Sequence, residues 1–173
     1  MEELMELGDV LASRSLRPLT AGDAVAAGGN LRRAQVLALT HPEPCAACAA
    51  YLTSLHEATE LIEGERAEVL AIVTPQWEDR AASLPLPALI DDGVISSRLS
   101  RLHEPVVAIV DRFGQLFARF DAGDAHLFPE HEQILTCLLG IGIGCPECGV
   151  PDVPGPTVLP DWDATSGGMR ILQ

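Results

Sequence analysis

The sequence predicts one α/β domain in which a mixed central sheet is flanked by helices. Apolar runs at residues 34–40, 68–74 and 106–111 have the length and composition of buried strands. A helical pattern separates the first two runs, so these strands are expected to be parallel and joined by a right-handed crossover. The turn at Phe113 and Gly114 leads from the third run into another apolar segment, which predicts an antiparallel hairpin. Together these strands make a mixed sheet, with helices on both faces.

The helices are predicted from apolar spacing and from proline or glycine at their ends. Leu52, Leu55 and Ile62 recur at helical spacing after Pro44, a residue type common at the start of helices. The further elements expected are a helix over 45–62, a helical turn over 77–83, an extended stretch over 84–93, a short helix over 94–102, the second hairpin strand over 116–120, and a last helix over 129–139 that stops at Gly140.

The chain divides into three segments by composition. Leu4, Leu7 and Leu11 form an apolar stripe on one side of a helical projection with acids opposite, so residues 1–22 are expected to form an N-terminal helical extension. Residues 23–140 are expected to form the domain, and residues 141–173 a Cys- and Pro-rich C-terminal tail. A chain of 173 residues is long enough for one domain with a core but short for two.

Composition argues against two classes of partner. The net charge is −14 and all 11 basic residues are arginines, so the surface repels phosphate backbones and no nucleic acid partner is expected. No stretch reaches the roughly 18 apolar residues of a membrane span, so no membrane partner is expected either. The acidic start lacks the basic and apolar parts of a secretory signal, which favours a cytoplasmic protein. Structural disulfides are rare in that compartment, so paired cysteines indicate metal binding or redox chemistry.

The main chemical motif is Cys45-Ala-Ala-Cys48, which directly follows a predicted strand. Two cysteines one helical turn apart share a face and can close a disulfide with little backbone movement. At the start of a helix, free N–H groups and the helix dipole stabilise the Cys45 thiolate and make it the nucleophile. Cys48, inside the first turn, then resolves the mixed disulfide. Simple packing of both cysteines and a metal-binding knuckle are the alternatives.

The run from about residue 23 to residue 139 resembles the thioredoxin-like superfamily. Its closest match there is the redoxin branch, which includes the alkyl hydroperoxide reductase and thiol-specific antioxidant proteins. The similar segments are AQVLALT, HPEPCAAC, EVLAIVT, LPLPALIDDG and HEPVVAIVDRFGQLFARFD. The resemblance implies a three-layer thioredoxin-like fold. It also implies that Pro105, directly before the third strand, is a cis-proline that faces the CxxC motif and shapes the substrate groove.

The sequence departs from the family at functional positions. Thioredoxins carry Trp before the first Cys, where this chain has Pro44, and a buried acid six residues before it, where this chain has Leu39. The PxxxTxxC motif of peroxiredoxins is also incomplete, since Ala38 and Pro42 occupy the Pro and Thr positions. The Thr hydroxyl that orients peroxide is therefore absent, which favours thiol–disulfide exchange over peroxide reduction.

Another group near the thiols must handle the proton. The candidates are Glu104, His41, Glu43 and His103. A carboxylate raises the pKa of a nearby thiol, whereas a protonated His lowers it. We expect Glu104, next to Pro105, to be the catalytic member of this set. His126 and His131 show no metal-ligand spacing with a carboxylate, Cys137 is expected in the core, and Trp77 is expected to pack near the second strand.

A second motif, Cys145-Pro-Glu-Cys148, lies in the C-terminal tail. Three interpretations remain open: a second redox pair that exchanges electrons with Cys45 and Cys48, a four-thiolate zinc site formed by all four cysteines, or a local structural disulfide. The separation of about 96 residues far exceeds the usual spacing of zinc ribbons. No cofactor is therefore expected, with zinc as the alternative.

These observations predict a cytoplasmic thiol–disulfide oxidoreductase that acts on protein or small-molecule disulfides. Its predicted catalytic residues are Cys45, Cys48, Pro105 and Glu104. A zinc-binding or scaffold protein of the same fold is one alternative, and a peroxidase with Cys45 as the peroxidatic cysteine is another. A homodimer is plausible because a hairpin edge and an apolar tail are available for association.

Overall fold

The computed structural model describes residues 4–101 and 104–143. His103 and the second motif, Cys145 and Cys148, lie outside the described residues. The elements are β1 (Arg14–Pro18), β2 (Val25–Ala27), β3 (Ala34–Leu39), α1 (Ala46–Glu57), α2 (Thr59–Gly64), β4 (Ala67–Val73), a 3₁₀ helix (Pro75–Ser83), β5 (Ala88–Ile90), α3 (Ser96–Leu99), β6 (Val106–Val110), β7 (Leu116–Asp121) and α4 (His131–Ile143).

The strands form one mixed seven-stranded sheet in the order β2-β1-β5-β4-β3-β6-β7. β3 pairs in parallel with β4 on one side and antiparallel with β6 on the other. β6 and β7 form the expected antiparallel hairpin. The predicted fold class, a mixed sheet flanked by helices, is confirmed, and β3 lies where it can deliver the Cys45 motif to one end of the sheet.

Alternation along the strands creates a core on each face of the sheet. Val36 and Ala38 of β3 face a cluster completed by α1, α2 and α4, in which Leu55 is fully buried. Leu37 faces the opposite cluster, which is covered by Leu99 of α3 and by the N-terminal segment. Side chains on a strand alternate between faces, so a single buried strand supplies apolar side chains to both cores.

The prediction of an N-terminal helix is wrong for the described part of that segment. The backbone runs extended alongside β7 instead, where Gly8 N–H donates to Leu116 O at 2.8 Å and Leu116 N–H donates to Asp9 O at 2.8 Å. Met5 is buried, whereas Leu7 of the predicted apolar stripe is 39% exposed. The outer edge of β7 has unpaired backbone groups that this segment satisfies, and that tertiary pairing prevails over a short amphipathic pattern.

The last helix continues past its predicted end. α4 runs to Ile143, three residues beyond Gly140, which was expected to stop it. A Cβ at Gly140 would lie 2.9 Å from Cζ of Phe117. This glycine therefore permits close packing of the helix on β7, and it does not terminate the helix. None of the helices among the described residues is both long and apolar enough to cross a bilayer.

We expect Gly114→Ala to lower the free energy of unfolding by about 3 kcal/mol or more. Gly114 has a φ of +88°, and an added Cβ would collide with Leu11 O and lie 2.7 Å from Gly29 N, where the N-terminal segment packs on the hairpin. Gly123→Ala is the matched control, because its φ is +59° but the space around it is open. That change should cost about 1 kcal/mol. Urea denaturation of both variants tests this, and equal losses would contradict the packing argument.

Candidate active site

Cys45 lies at the N-cap of α1, at the carboxyl end of β3. Its backbone is extended, with φ −125° and ψ 151°, and its Sγ accepts a hydrogen bond from the Cys48 N–H at 3.3 Å. The sulfur therefore satisfies one of the free donors in the first turn of the helix. Cys45 is half-buried, and Cys48 is 1% exposed. The predicted difference in accessibility between the two thiols is present.

Two imidazoles face the two sulfurs. Nε2 of His126 lies 3.4 Å from Cys45 Sγ. Nδ1 of His41 lies 3.6 Å from Cys45 Sγ and 3.6 Å from Cys48 Sγ. The two rings meet edge to face, with their centroids 4.9 Å apart. The site is thus a compact cluster of two thiols and two imidazoles, which we call the Cys–His cluster.

The two thiols have opposite pKa shifts. Burial by itself raises the pKa of Cys45, but hydrogen bonds from the Cys48 backbone and side chain, His41 and His126 outweigh it and lower that pKa to about 6. Burial is also the largest cause at Cys48, and together with the neighbouring Cys45 it raises the pKa to about 12, although a hydrogen bond with the His41 backbone acts in the opposite direction. At neutral pH Cys45 is therefore mainly a thiolate, and Cys48 remains a thiol.

His41 is held from both its backbone and its ring. Its carbonyl oxygen accepts a hydrogen bond from Trp77 Nε1 at 2.9 Å, and Trp77 is buried in the core. The next residue, Pro42, accepts a hydrogen bond from the Thr74 hydroxyl at the end of β4. Nε2 of the ring lies 3.5 Å from Oδ1 of Asp124. With the ring proton on Nδ1, His41 can donate a hydrogen bond to a sulfur; with the proton on Nε2, which faces this carboxylate, Nδ1 presents a lone pair to the sulfurs.

His126 reaches the thiols from the turn after β7. Its φ is +54°, and its N–H donates to Gly123 O at 3.1 Å. Phe128 lies beside its ring and stacks on Tyr51 of α1 with a centroid distance of 4.0 Å. Tyr51 also donates a hydrogen bond to Pro129 O at 3.2 Å. These contacts attach the His126 turn to the helix that carries both cysteines.

Pro105 lies at the same end of the sheet as the motif, but the peptide bond before it is trans and not cis. It is buried directly before β6, whose Val106 pairs with Leu39 at the end of β3. Pro105 therefore stands at the same end of the sheet as the thiols. The peptide bonds among the described residues are all trans, so the cis-proline implied by the family resemblance is not present.

The structure brings His41, and not Glu104, to the thiols. Within the described part of the chain, the ring groups that contact the sulfurs belong to His41 and His126. The Glu104 N–H donates to Arg101 O and its carbonyl accepts from the Ser100 hydroxyl, so its backbone is used in a turn. Glu43 is exposed. His103 lies outside the described residues.

Sequence reasoning missed His126. It is separated from Cys45 by 81 positions, and it was considered only for metal spacing with a carboxylate. Its one sequence signal is its place shortly after the predicted hairpin, because that hairpin returns the chain to the end of the sheet where the motif lies. Cys137, as expected, packs against the core and is a free thiol, and burial raises its pKa.

No family model and no curated protein sequence matches the chain. Solved structures do match. The peroxidoxin BcpB from Mycobacterium tuberculosis is 16% identical, with a TM-score of 0.59 over 79% of this chain and 98% of that chain. A peroxiredoxin-like protein from Aquifex aeolicus is 14% identical, with a TM-score of 0.65 over 80% and 88%. The pneumococcal exposed lipoprotein thioredoxin from Streptococcus pneumoniae is 21% identical, with a TM-score of 0.59 over 74% and 98%.

These matches confirm the thioredoxin-like fold that the sequence resemblance implied. Each covers most of the other chain, so the likeness extends over a whole domain and is not confined to the βαβ unit. Identities this low establish a shared fold, and the chemistry must be argued from the Cys–His cluster itself.

We expect the alkylation rate of Cys45 to rise with pH through a midpoint near 6 and to be level at neutral pH. The sign follows because iodoacetamide reacts with the thiolate, whose fraction increases above the pKa. Cys48 should stay unreactive over the same range, because its pKa is raised to about 12. Peptide mass mapping of the reduced protein separates the two sites.

Two histidine substitutions, one as the test and one as the control, extend this titration. His126→Asn removes a contact that lowers the pKa of Cys45, so the midpoint should move upward. His56→Asn, on the exposed face of α1, should leave the midpoint unchanged. A midpoint in the ordinary thiol range of about 8.5 for the unsubstituted protein would rule out the activated thiolate.

Proposed function

We propose that the protein is a thiol–disulfide oxidoreductase in which Cys45 is the nucleophile and Cys48 the resolving cysteine. The observation that carries the proposal is the asymmetry of the pair. Cys45 accepts the Cys48 N–H at the start of α1 and has a pKa of about 6, whereas the buried Cys48 has a pKa of about 12. One reactive and one protected thiol suit stepwise exchange.

In the first step the Cys45 thiolate attacks one sulfur of a substrate disulfide. A Cys45–substrate mixed disulfide forms, and the second substrate sulfur leaves as a thiolate that takes a proton from solvent. The N–H of Cys48 and the ring of His126 lie against the attacking sulfur, so they hold it in the charged form before reaction. The half-buried position of Cys45 keeps that sulfur accessible to a partner.

In the second step Cys48 loses its proton and attacks Cys45 Sγ. The Cys45–Cys48 disulfide forms, the bond between Cys45 and the substrate sulfur breaks, and that sulfur leaves and is protonated, so the substrate gains the two electrons that the protein dithiol loses. His41 Nδ1, 3.6 Å from Cys48 Sγ, is the proton acceptor, with Asp124 behind Nε2. An external dithiol restores the reduced pair, and the reverse sequence oxidises a substrate dithiol.

The surface beside Cys45 favours a protein or small-molecule disulfide as substrate. A narrow cleft lined by Trp77, Arg80 and Leu84 meets Cys45 on one side. A wider, open groove is lined by His126, whose ring contacts Cys45, and by Leu127, which is 76% exposed. We also propose that Pro105 shapes the substrate groove, because it directly precedes β6 at the end of the sheet where the Cys45 motif lies. A reducing cytoplasm would keep the thiols available.

A thiol peroxidase with Cys45 as the peroxidatic residue is the second candidate. The observation in its favour is that several structural neighbours are named peroxidoxin or peroxiredoxin, and a Cys45 thiolate would be the required nucleophile. Pro42 and Ala38 stand against it, since they replace the residues of the peroxide-orienting motif. Consumption of hydrogen peroxide by the reduced protein, in excess of that by Cys45→Ser, would favour this candidate.

We expect Cys48→Ser to accumulate a mixed disulfide through Cys45 when it is mixed with a disulfide-containing substrate. The substitution removes the resolving thiol and leaves the nucleophile, so the reaction stops after its first step. Non-reducing mass spectrometry, with peptide mapping to Cys45, measures the adduct. Cys45→Ser should form none, and adduct formation by Cys45→Ser through Cys48 would reverse the assigned roles.

His41→Ala should slow the second step by about 100-fold or more. The reason is that the proton of Cys48 then lacks its acceptor 3.6 Å away. The amount of Cys45–substrate mixed disulfide that forms in the first step should be nearly unchanged. Stopped-flow detection of the substrate thiol that leaves the Cys45 mixed disulfide measures the second step. His131→Ala is the control, because His131 contacts Ser54 and not the sulfurs. Equal rates in both variants would assign the proton transfer elsewhere, with Glu104→Gln as the next test.

A further inference from the structure

Four metal-ligating atoms converge in the Cys–His cluster. They are His41 Nδ1, Cys45 Sγ, Cys48 Sγ and His126 Nε2, and all lie within 4.8 Å of one another. Two thiolates with two imidazoles are a ligand set that zinc accepts in structural tetrahedral sites. The set differs from the four-cysteine site considered from the sequence, because histidines take the places of Cys145 and Cys148.

We propose that the reduced protein binds one Zn²⁺ ion through His41, Cys45, Cys48 and His126. The disulfide form lacks both thiolates and does not bind the ion. Zinc binding is separate from thiol–disulfide exchange. Exchange requires no bound metal, and zinc binding requires no substrate.

The distances between the ligand atoms fit a tetrahedral site. Zn–S bonds of about 2.3 Å and Zn–N bonds of about 2.0–2.1 Å, at tetrahedral angles, place sulfur and nitrogen about 3.6 Å apart. Cys45 Sγ lies 3.4 Å from His126 Nε2 and 3.6 Å from His41 Nδ1. Cys48 Sγ lies 3.6 Å from His41 Nδ1. These three edges already have the lengths of a zinc tetrahedron, and the other three pairs lie within 4.8 Å, so binding would draw the four atoms closer together.

The orientation of His41 supports a shared ion over simple hydrogen bonding. Its Nδ1 is equally distant from both sulfurs, at 3.6 Å, whereas one N–H can point well at only one acceptor. A lone pair directed between two thiolates is what a common ion requires. In the zinc-bound form the ring proton lies on Nε2, which faces Asp124 Oδ1 at 3.5 Å, and Nδ1 offers its lone pair to the ion.

Charge also favours a divalent cation here. Two thiolates and two neutral imidazoles balance one Zn²⁺, which makes the half-buried site neutral. Binding releases the Cys48 proton to solvent, and no electron is transferred. The net charge of −14 raises the local concentration of cations around the chain. The bound ion blocks both sulfurs, so zinc would protect the pair from oxidation until a chelator removes it.

The test uses the full-length reduced chain and Zn²⁺ itself, with a chromophoric zinc indicator as competitor. The variant Cys145→Ser/Cys148→Ser should retain one Zn²⁺ per chain at unchanged affinity. His126→Ala should lose at least about 100-fold in affinity, since even outer contacts of zinc ligands are worth 10–100-fold. His56→Ala, an exposed histidine on α1, is the matched control and should bind as the unsubstituted protein does.

Co²⁺ provides a second measurement that reports geometry. Cobalt in the Cys145→Ser/Cys148→Ser protein should show the intense visible absorption of a tetrahedral site together with thiolate-to-cobalt charge transfer, and both should vanish on oxidation of Cys45 and Cys48. These readouts require no enzyme activity. Mixed-disulfide trapping by Cys48→Ser in excess chelator tests exchange independently, so each proposal can fail alone.

Three results would overturn the zinc site. One is no zinc uptake by the reduced Cys145→Ser/Cys148→Ser chain, which would mean that the tail cysteines supply the ligands or that no site exists. Another is equal affinity in His126→Ala and His56→Ala. The third is an octahedral cobalt spectrum without charge transfer. If His126→Ala is misfolded by circular dichroism, zinc protection of Cys45 and Cys48 from alkylation in the tail-cysteine variant decides the question.

Discussion

The hydrogen bond from the Cys48 N–H to Cys45 Sγ at the start of α1 is the contact on which the site depends. It exists because β3 ends just before the motif and the chain turns directly into a helix, so the free donors of the first turn face the sulfur. The same turn buries Cys48 beneath the helix. One backbone geometry thereby makes two identical side chains chemically different.

The two imidazoles extend this asymmetry. His41 is part of the segment between β3 and α1 and is held by Trp77, whereas His126 arrives from the hairpin on the far side of β6. In the proposed exchange reaction the paired rings serve as a proton acceptor and a stabilising contact, and in the proposed zinc site they serve as nitrogen ligands. Both proposals use the lone pair of His41 Nδ1, so a bound ion would block the proton transfer.

Much of the fold follows from local patterns in the chain. β3, β4 and β6 are short, mainly apolar runs of the length typical of buried strands, and the motif helix has regular apolar spacing after Pro44. The N-terminal segment does not adopt the structure that its local pattern predicts. Its leucine spacing fits a helix, but its backbone is extended and pairs with Leu116 at the edge of β7. Edge pairing is a property of the assembled sheet and leaves little trace in a short sequence.

The sequence by itself determined which two thiols share the candidate site, because Cys45 and Cys48 are one helical turn apart after a buried strand. Only the tertiary structure decided which other groups reach them. Glu104 was the expected proton acceptor, yet His41 lies at the sulfurs, and His126 joins them from 81 positions away. Spacing along the chain governs contacts within a turn, whereas contacts between distant elements depend on strand order and on how the hairpin returns to the sheet end.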